Sequence, residues 1–512
     1  MPVQLEWISP VLLKINRDLK LIRSCVMHDR MQTFSRHELN QIHNASMDIL
    51  AHTGVIFNDA AAVTLFSLNG FRTDGKRVFI TESDVSKALE TVPPRFTILA
   101  RNPEHNVSIG GDDFVFVPTA GAPNVAEAGG EQRPATFKDY ITCCKLVQTS
   151  DQMDLSAFMM VQPTDLPPHT AHLDMLYANI VMCDKPFESA TTSGPAARDS
   201  LEMAGLIWGG KDKLRQQPVT VTIANPTSPL QYSMEQAAQI IEMASWRQPV
   251  AITNMLLAGS TAPVSLPGLL ALQNAEILGG LVLSQLAGPG TPVIYGATSA
   301  PLDMKTATSA LGAPETVVIA SAAVQLAKFY HLPCRTGGML TDSHCPDAQA
   351  LAEGAVLMST AVRNGANFIL HACGQMGSFI SMSFEKWLID EEVCAVIRRM
   401  LVPLEISPRT IDVETIKSIG AGGNYLLHPT TFGKFRSLSQ PRLFNRRDYQ
   451  KWRANGAKSI EQSAAEALAA RIAAYNKPPI DQGLEQALTE YVNRRKLEEK
   501  LHVTDQPLEK VA

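Results

Sequence analysis

The sequence predicts an α/β fold, a (β/α)8 TIM barrel with an N-terminal α+β extension and a C-terminal helical flank. Three observations lead there. From residue 114 to about residue 400, short β-rich runs alternate with helical stretches of about ten to twenty residues, and eight such runs can be counted. Parallel strands require crossovers of that kind, and eight units fit a closed barrel better than an open doubly wound sheet of about five or six strands. No GxGxxG follows the first run and no GxxxxGK[ST] occurs anywhere, which removes dinucleotide and P-loop phosphate binding from consideration.

Each element has a local cause. Ser35-Arg36-His37-Glu38 is a capping box that opens a helix with Leu39, Ile42, Ala45, Ile49 and Leu50 on one face, and Gly54 stops it. A helix over 59–68, a strand over 77–80, a helix over 82–91 and an extended run over 96–100 complete an N-terminal α+β region, 1–110. The barrel, 111–400, places strands at 114–118, 155–162, 187–192, 219–225, 250–256, 292–296, 333–337 and 367–371. Helices are expected at 234–246, 313–330, 348–363 and 384–400. The remainder, 401–512, begins with a Pro-containing aromatic stretch and ends, over 459–500, in an Ala- and charge-rich helical run that reads as a flank or an oligomer contact.

Composition narrows the function. The 512 residues are 45% hydrophobic and 19% charged, an ordinary globular balance, and 45 Lys+Arg against 50 Asp+Glu leave no basic stripe for nucleic acid. The first twenty residues lack a charged start followed by a clean apolar core, so no leader is read there. The most apolar stretch, 266–287, carries Gln273, Asn274 and Glu276 and is not expected to span a membrane. Eight cysteines without a CxxC pair argue against a disulfide framework or zinc ribbon and favour a reducing cytoplasm.

In a barrel, chemistry belongs at the C-terminal strand ends. Those ends offer Thr119, Asn225, Asn254, Tyr295, Arg335, His371 and Gln375, a polar but almost uncharged set that disfavours a metal hydrolase. His371 closes the eighth strand, and His344 lies in the long loop after the seventh. A zinc site combining Cys345 or Cys373 with these histidines matches no ligand spacing, so no metal is assigned. Tyr295, Phe379 and Phe116 form a cage for a cation if they converge, and core packing is the alternative fate of each.

The wording of several motifs is also informative. Thr192-Ser193-Gly194-Pro195 with Arg198-Asp199, Asn225-Pro226-Thr227-Ser228-Pro229-Leu230, Gly312-Ala313-Pro314-Glu315, Leu332-Pro333-Cys334-Arg335, Thr341-Asp342 with Pro346-Asp347-Ala348, and Ser383-Phe384-Glu385-Lys386 with Ile389-Asp390 follow one another in order. In these motifs the chain resembles the trimethylamine methyltransferase (MttB) superfamily, in the non-pyrrolysine branch that includes glycine betaine methyltransferases. The resemblance implies methyl transfer from an amine to a corrinoid carried by a partner protein, with no cofactor tightly bound to this chain. Where the family often has Lys after Thr-Asp-Ser this chain has His344, and the family's Gly-Trp-Leu-Glu becomes Gly374-Gln375-Met376-Gly377.

A quaternary ammonium leaves as a neutral amine without acid catalysis, which suits an acid-poor mouth. The expectation is therefore a cytoplasmic, homo-oligomeric methyltransferase acting on glycine betaine or a related betaine. Arg335 would grip the carboxylate and His371 would assist. His344 would contact substrate or corrinoid. Tyr295, Phe379 and Phe116 would face the cation, with Thr119, Asn225, Asn254 and Gln375 lining the pocket. A non-catalytic amine-binding barrel, a trimethylamine enzyme and a zinc-dependent corrinoid methyltransferase are the alternatives.

Overall fold

The computed structural model describes residues 30–127 and 129–504; the expectation about a leader falls on residues outside that range. The capping box forms as expected. Ser35 Oγ accepts from the Glu38 amide, Glu38 returns the bond to the Ser35 amide at 2.7 Å, and helix α1 (Arg36–Asp48) follows. It buries Leu39, Ile42 and Met47, and one π-helical turn, Ile49–Thr53, delivers the chain to Gly54. The strand Val55–Phe57 then pairs in parallel with Gln231–Tyr232, which stitches the described N-terminal region onto a loop of the main sheet.

The main sheet has seven strands, all parallel: β1 (Val115–Phe116), β2 (Phe187–Glu188), β3 (Thr220–Ala224), β4 (Val250–Asn254), β5 (Val293–Ala297), β6 (Cys334–Gly337) and β7 (Phe368–Leu370). Their spatial order is β1-β7-β6-β5-β4-β3-β2, a curled parallel sheet wrapped by helices. Seven of the eight expected runs are strands within a few residues of their expected bounds. The exception is 155–162, where only Ser156 bridges, to Phe187. Beyond it the ladder bonds are diverted: the Phe158 amide donates to the Glu188 carboxylate at 3.0 Å, and the Phe158 carbonyl accepts from the Tyr140 hydroxyl. On the other side of this segment the Asp154 amide donates to the Phe116 carbonyl at 2.9 Å.

Helix α2 (Leu266–Ala287) is a core helix, buried without interruption from Leu269 to Gln285. Its polar residues are fully buried and each has at least one partner: Asn274 donates to the Tyr330 hydroxyl, Gln273 Oε1 accepts from Ser299 while its Nε2 is left without a partner, and Glu276 is discussed below. A buried polar group is tolerable only with such partners. After β7 the chain makes a small hairpin, then helix α3 (Phe384–Met400) runs back toward the N-terminal edge of the sheet. Helix α4 (Gln482–Thr504) docks through Asp199, which accepts from His172, Tyr491 and Arg495.

Loops at the C-terminal edge build a lid of their own. Asn124–Ala126 and Gln132–Pro134, from the loop after β1, join Gln375–Met376 and Ser381–Met382, from the loop after β7, in one four-stranded sheet.

Candidate functional site

Strand alternation decides which side chains enter the sheet's concave face. Thr253, Gly296 and Arg335 stand opposite one another across β4, β5 and β6 and share that face. Arg335 is 3% exposed and donates to Thr253 at 3.3 Å and to Thr298. Gly296 makes the space: a Cβ there would lie 2.5 Å from Thr253 Cβ. Opposite Arg335 in charge is Glu188, at the end of β2 and 2% exposed, whose Oε1 is buried without a partner. Burial pushes the Glu188 carboxyl up to about 7 against the pull of the Phe158 amide and Arg335. Burial likewise brings the Arg335 guanidinium down to about 10, with Glu188 opposing.

His371 follows β7 at φ +59°, a left-handed conformation that a non-glycine residue adopts at some cost. The Ala120 amide donates to its Nδ1 at 3.3 Å. An amide can only donate, so the proton of the neutral ring sits on Nε2. Nε2 in turn lies 3.3 Å from Arg335 Nη2. Two donors therefore face one another across this gap, and Arg335 Nε is also buried without a partner. Burial and then the Arg335 charge hold the His371 ring well below the ordinary histidine range, so it stays neutral. Each unmet buried group costs about 1–3 kcal/mol. An acceptor placed between the two, above all a carboxylate, relieves several at once.

The surrounding loops fix this pair. Phe379 lies with its ring centroid 4.9 Å from that of His371, on a turn where Ser378 and Phe379 both have positive φ (+52° and +78°). That turn is held by Asp342, which accepts from the Ser378 hydroxyl at 2.5 Å and from the amides of Leu311 and Gly312. Glu353 in turn accepts from Thr341 at 2.6 Å and from the Asp342 amide. The Thr341-Asp342 motif is thus a brace. The loop after β7 is braced from below by the buried Lys386–Asp390 pair at 2.6 Å, with Asp390 also accepting from the Gly374 amide. Thr119 donates to Gln375 at 2.5 Å, and Gln375 donates to the Ser381 carbonyl, locking the lid sheet to β1.

The structure brings Arg335, His371, Phe379, Thr119 and Gln375 to one end of the sheet, and parts the others from them. Tyr295 is a correction. It alternates with Gly296, so it points outward, donates to Asn274 on α2 at 3.2 Å and stacks on Tyr330. Phe116 also points outward, under the Arg398 guanidinium of α3, 4.6 Å from its centroid. The three-aromatic cage therefore does not form from these residues. Asn254 is buried at the end of β4 and donates to Glu276, with its Oδ1 unpartnered. Asn225 is solvent-exposed, outside this cluster. Its motif is instead pinned by Glu276, which accepts from Ser228 at 2.8 Å and from the Leu230 amide at 2.7 Å.

His344 is exposed on the rim, packed over Gly377, where φ is +54° and a Cβ would come within 2.8 Å of its Nδ1. The zinc donors do not converge. Cys373 is buried with its Sγ 3.5 Å from Met153 Sδ, whereas Cys345 sits over Gly130 in the lid. Among the described residues no group of three His, Cys, Asp or Glu is placed to hold a metal.

Sequence reasoning missed Glu188, Thr253 and Thr298. It weighed strand ends only, and a period-two reading of β2 and β4 puts Glu188 and Thr253 on the inner face.

Comparison with known proteins adds an independent line. The profile of the family described as trimethylamine methyltransferase (MTTB) matches residues 15–499. Glycine betaine methyltransferase of Desulfitobacterium hafniense (strain Y51) is 37% identical over 459 residues, covering 90% of this chain and 96% of that relative. Trimethylamine methyltransferase MttB of D. hafniense (strain DSM 10664 / DCB-2) is 31% identical over 465 residues, covering 90% and 93%. Among solved structures, the Methanosarcina barkeri monomethylamine methyltransferase (MtmB) matches with a TM-score of 0.50 at 11% identity, covering 89% of this chain and 92% of that one, a likeness of fold.

Proposed function

The chain belongs to the trimethylamine methyltransferase family, and from that premise we propose that it takes a methyl group from a quaternary amine bearing a carboxylate, glycine betaine or a close analogue. The methyl acceptor is the Co(I) of a corrinoid carried by a separate protein, which supplies the nucleophile as a second substrate. The observation that carries the reading is the pair of facing donors on Arg335 and His371, a site wanting an anion between them, with the Glu188 carboxyl as the opposite charge in the same mouth. The relative named glycine betaine methyltransferase supports it.

In this reading Arg335 and the Nε2 proton of His371 hold the carboxylate, and Glu188 balances the ammonium. Phe379 supplies the remaining apolar wall, and the lid sheet excludes water. The C–N bond breaks with its electron pair staying on nitrogen, so the product is a neutral tertiary amine and no proton need be delivered. The chain's task is then orientation and desolvation of the cation.

We further read the curled sheet as a closed (β/α)8 barrel whose eighth stave is 154–156, supported by the Ser156 bridge and the Asp154–Phe116 bond. Division at 110 and 400 follows from that reading. We place the reaction in the cytoplasm, where thiols such as the buried Cys143, Cys144 and Cys183 stay reduced.

The test is anaerobic spectroscopy of cob(I)alamin with the protein and, in turn, glycine betaine, carnitine, choline and trimethylamine. Conversion to methylcobalamin with a betaine, and not with choline or trimethylamine, is expected. Turnover of trimethylamine alone, or silence with every amine even when a cognate corrinoid protein is supplied, overturns the proposal.

A further inference from the structure

Residues 402–440 differ from everything else in the fold. They leave the sheet layer at the end of α3 and return beside it: Arg399 donates to the Ser437 carbonyl at 3.0 Å, and Glu392 accepts from the amides of Arg442 and Leu443. Between those anchors not one residue is buried. The helices there, Pro408–Ile411, Val413–Ile419 and Pro429–Lys434, have 4, 7 and 6 residues. Helices that short do not hold in water unless packed against something, because nucleation is not repaid within one or two turns.

The excursion is also strongly apolar on its outside. Leu404, Ile406, Leu426, Leu427, Phe432 and Leu438 are each 62–85% exposed, and five more large hydrophobic side chains in the segment are 44–51% exposed. Together these side chains expose apolar surface on the order of 1,000 Å² along one segment. It is about what one partner contributes to a stable dimer, roughly 800 Å². Charge points the same way: four Lys or Arg (409, 417, 434, 436) against three Asp or Glu (405, 412, 414) make the segment nearly neutral, so two copies face each other without repulsion.

We propose that residues 402–440 are the interface with a second copy of this chain. A permanent, apolar contact fits short helices that cannot stand alone, whereas a partner that comes and goes would leave them bare between visits. Position excludes the corrinoid protein as the occupant. It must reach Arg335 and His371 at the C-terminal edge of the sheet, and the excursion starts at the far end of α3, whose 17 residues span about 25 Å. Its return is fixed by the Arg442–Asp151 ion pair, just before 154–156 enters the sheet. That exclusion rests on the proposed function. The test below does not, because it reads mass and protection and not turnover.

Light scattering on the purified full-length chain should give an even multiple of 55.7 kDa at micromolar concentration. Leu426→Asp combined with Leu427→Asp should yield monomer, whereas Leu68→Asp, at another exposed leucine, should not. Hydrogen exchange of the wild type covers the case in which the double variant misfolds: amides of 402–440 should be protected in the oligomer and lose protection on dilution to monomer. A monodisperse wild-type monomer overturns the proposal, whether the segment is bare, is covered by the chain's own first 29 residues, or gains protection only with a corrinoid protein. An oligomer in which these amides exchange freely overturns it as well.

Discussion

The two faces of the same strands make an instructive contrast. On the outer face, Tyr295 finds Asn274 and Tyr330, and Phe116 lies beneath an Arg398 that is itself paired with Asp154. One residue further along, on the inner face, Arg335 meets a histidine proton, its Nε has no partner, and Glu188 keeps a bare oxygen. Both layers are buried and polar. What separates them is charge at close quarters: the outer face leaves single atoms such as Arg398 Nε, Thr336 Oγ1 and Asn254 Oδ1 unpartnered, each on a side chain otherwise fixed by packing, while the inner face sets a guanidinium against a histidine proton at one end of the sheet, where an anion can bind between them.

Substitutions that sharpen this contrast can be ranked by size. Arg335→Ala removes the charge that holds the carboxylate, worth about 2–5 kcal/mol when buried, so methyl transfer from glycine betaine should fall roughly 30- to 5,000-fold. Rates in an anaerobic cobalamin assay, beside an unchanged circular dichroism spectrum, check this. His371→Gln, which keeps a donor, should lose less than His371→Ala.

Glu188→Gln gives a pH signature. The Glu188 carboxyl is raised from an ordinary 4.5 to about 7 by burial, so the folded state holds a proton that the unfolded chain has released between those values. Its contribution to stability is therefore present at low pH and lost as pH rises toward 7, by on the order of 3 kcal/mol in all. Glu188→Gln should raise Tm over wild type at pH 8 and not at pH 4.5, while weakening turnover. Equal Tm differences at both pH values would remove Glu188 from the network.

The outer face should respond the opposite way. Tyr295→Phe loses one hydrogen bond, so stability to urea should drop by about 0.5–1.5 kcal/mol with turnover within about twofold of wild type. His344→Ala is the smallest change. From its rim position, it should leave the rate with free cob(I)alamin unaltered and slow only transfer to a protein-bound corrinoid, as rim groups act on association.

Much of this was legible in the sequence, and the failures have physical causes. Periodicity and turn chemistry located seven of the eight expected runs as strands, because alternating β-rich and helical stretches carry strong local signals. Residues 157–162 were lost because Glu188 and Tyr140, distant in sequence, take the backbone groups a strand partner would have used. At the site, Arg335, His371 and Gln375 were readable as strand ends. Tyr295 and Phe116 were not, since a strand end known only to within a residue leaves the facing side undetermined, and a slip of one reverses it. Asn225 missed the cluster for a different reason: its loop is drawn toward Glu276 on α2, a contact about fifty residues away in sequence that no local pattern announces.

The most direct test of the inner face as a carboxylate site is calorimetric titration of glycine betaine and choline into wild type and Arg335→Gln. The two ligands share the trimethylammonium group and differ in the carboxylate. Wild type should bind glycine betaine at least tenfold more tightly than choline, and Arg335→Gln should bind the two alike. Discrimination that survives in Arg335→Gln, or that is absent from wild type, would contradict the account.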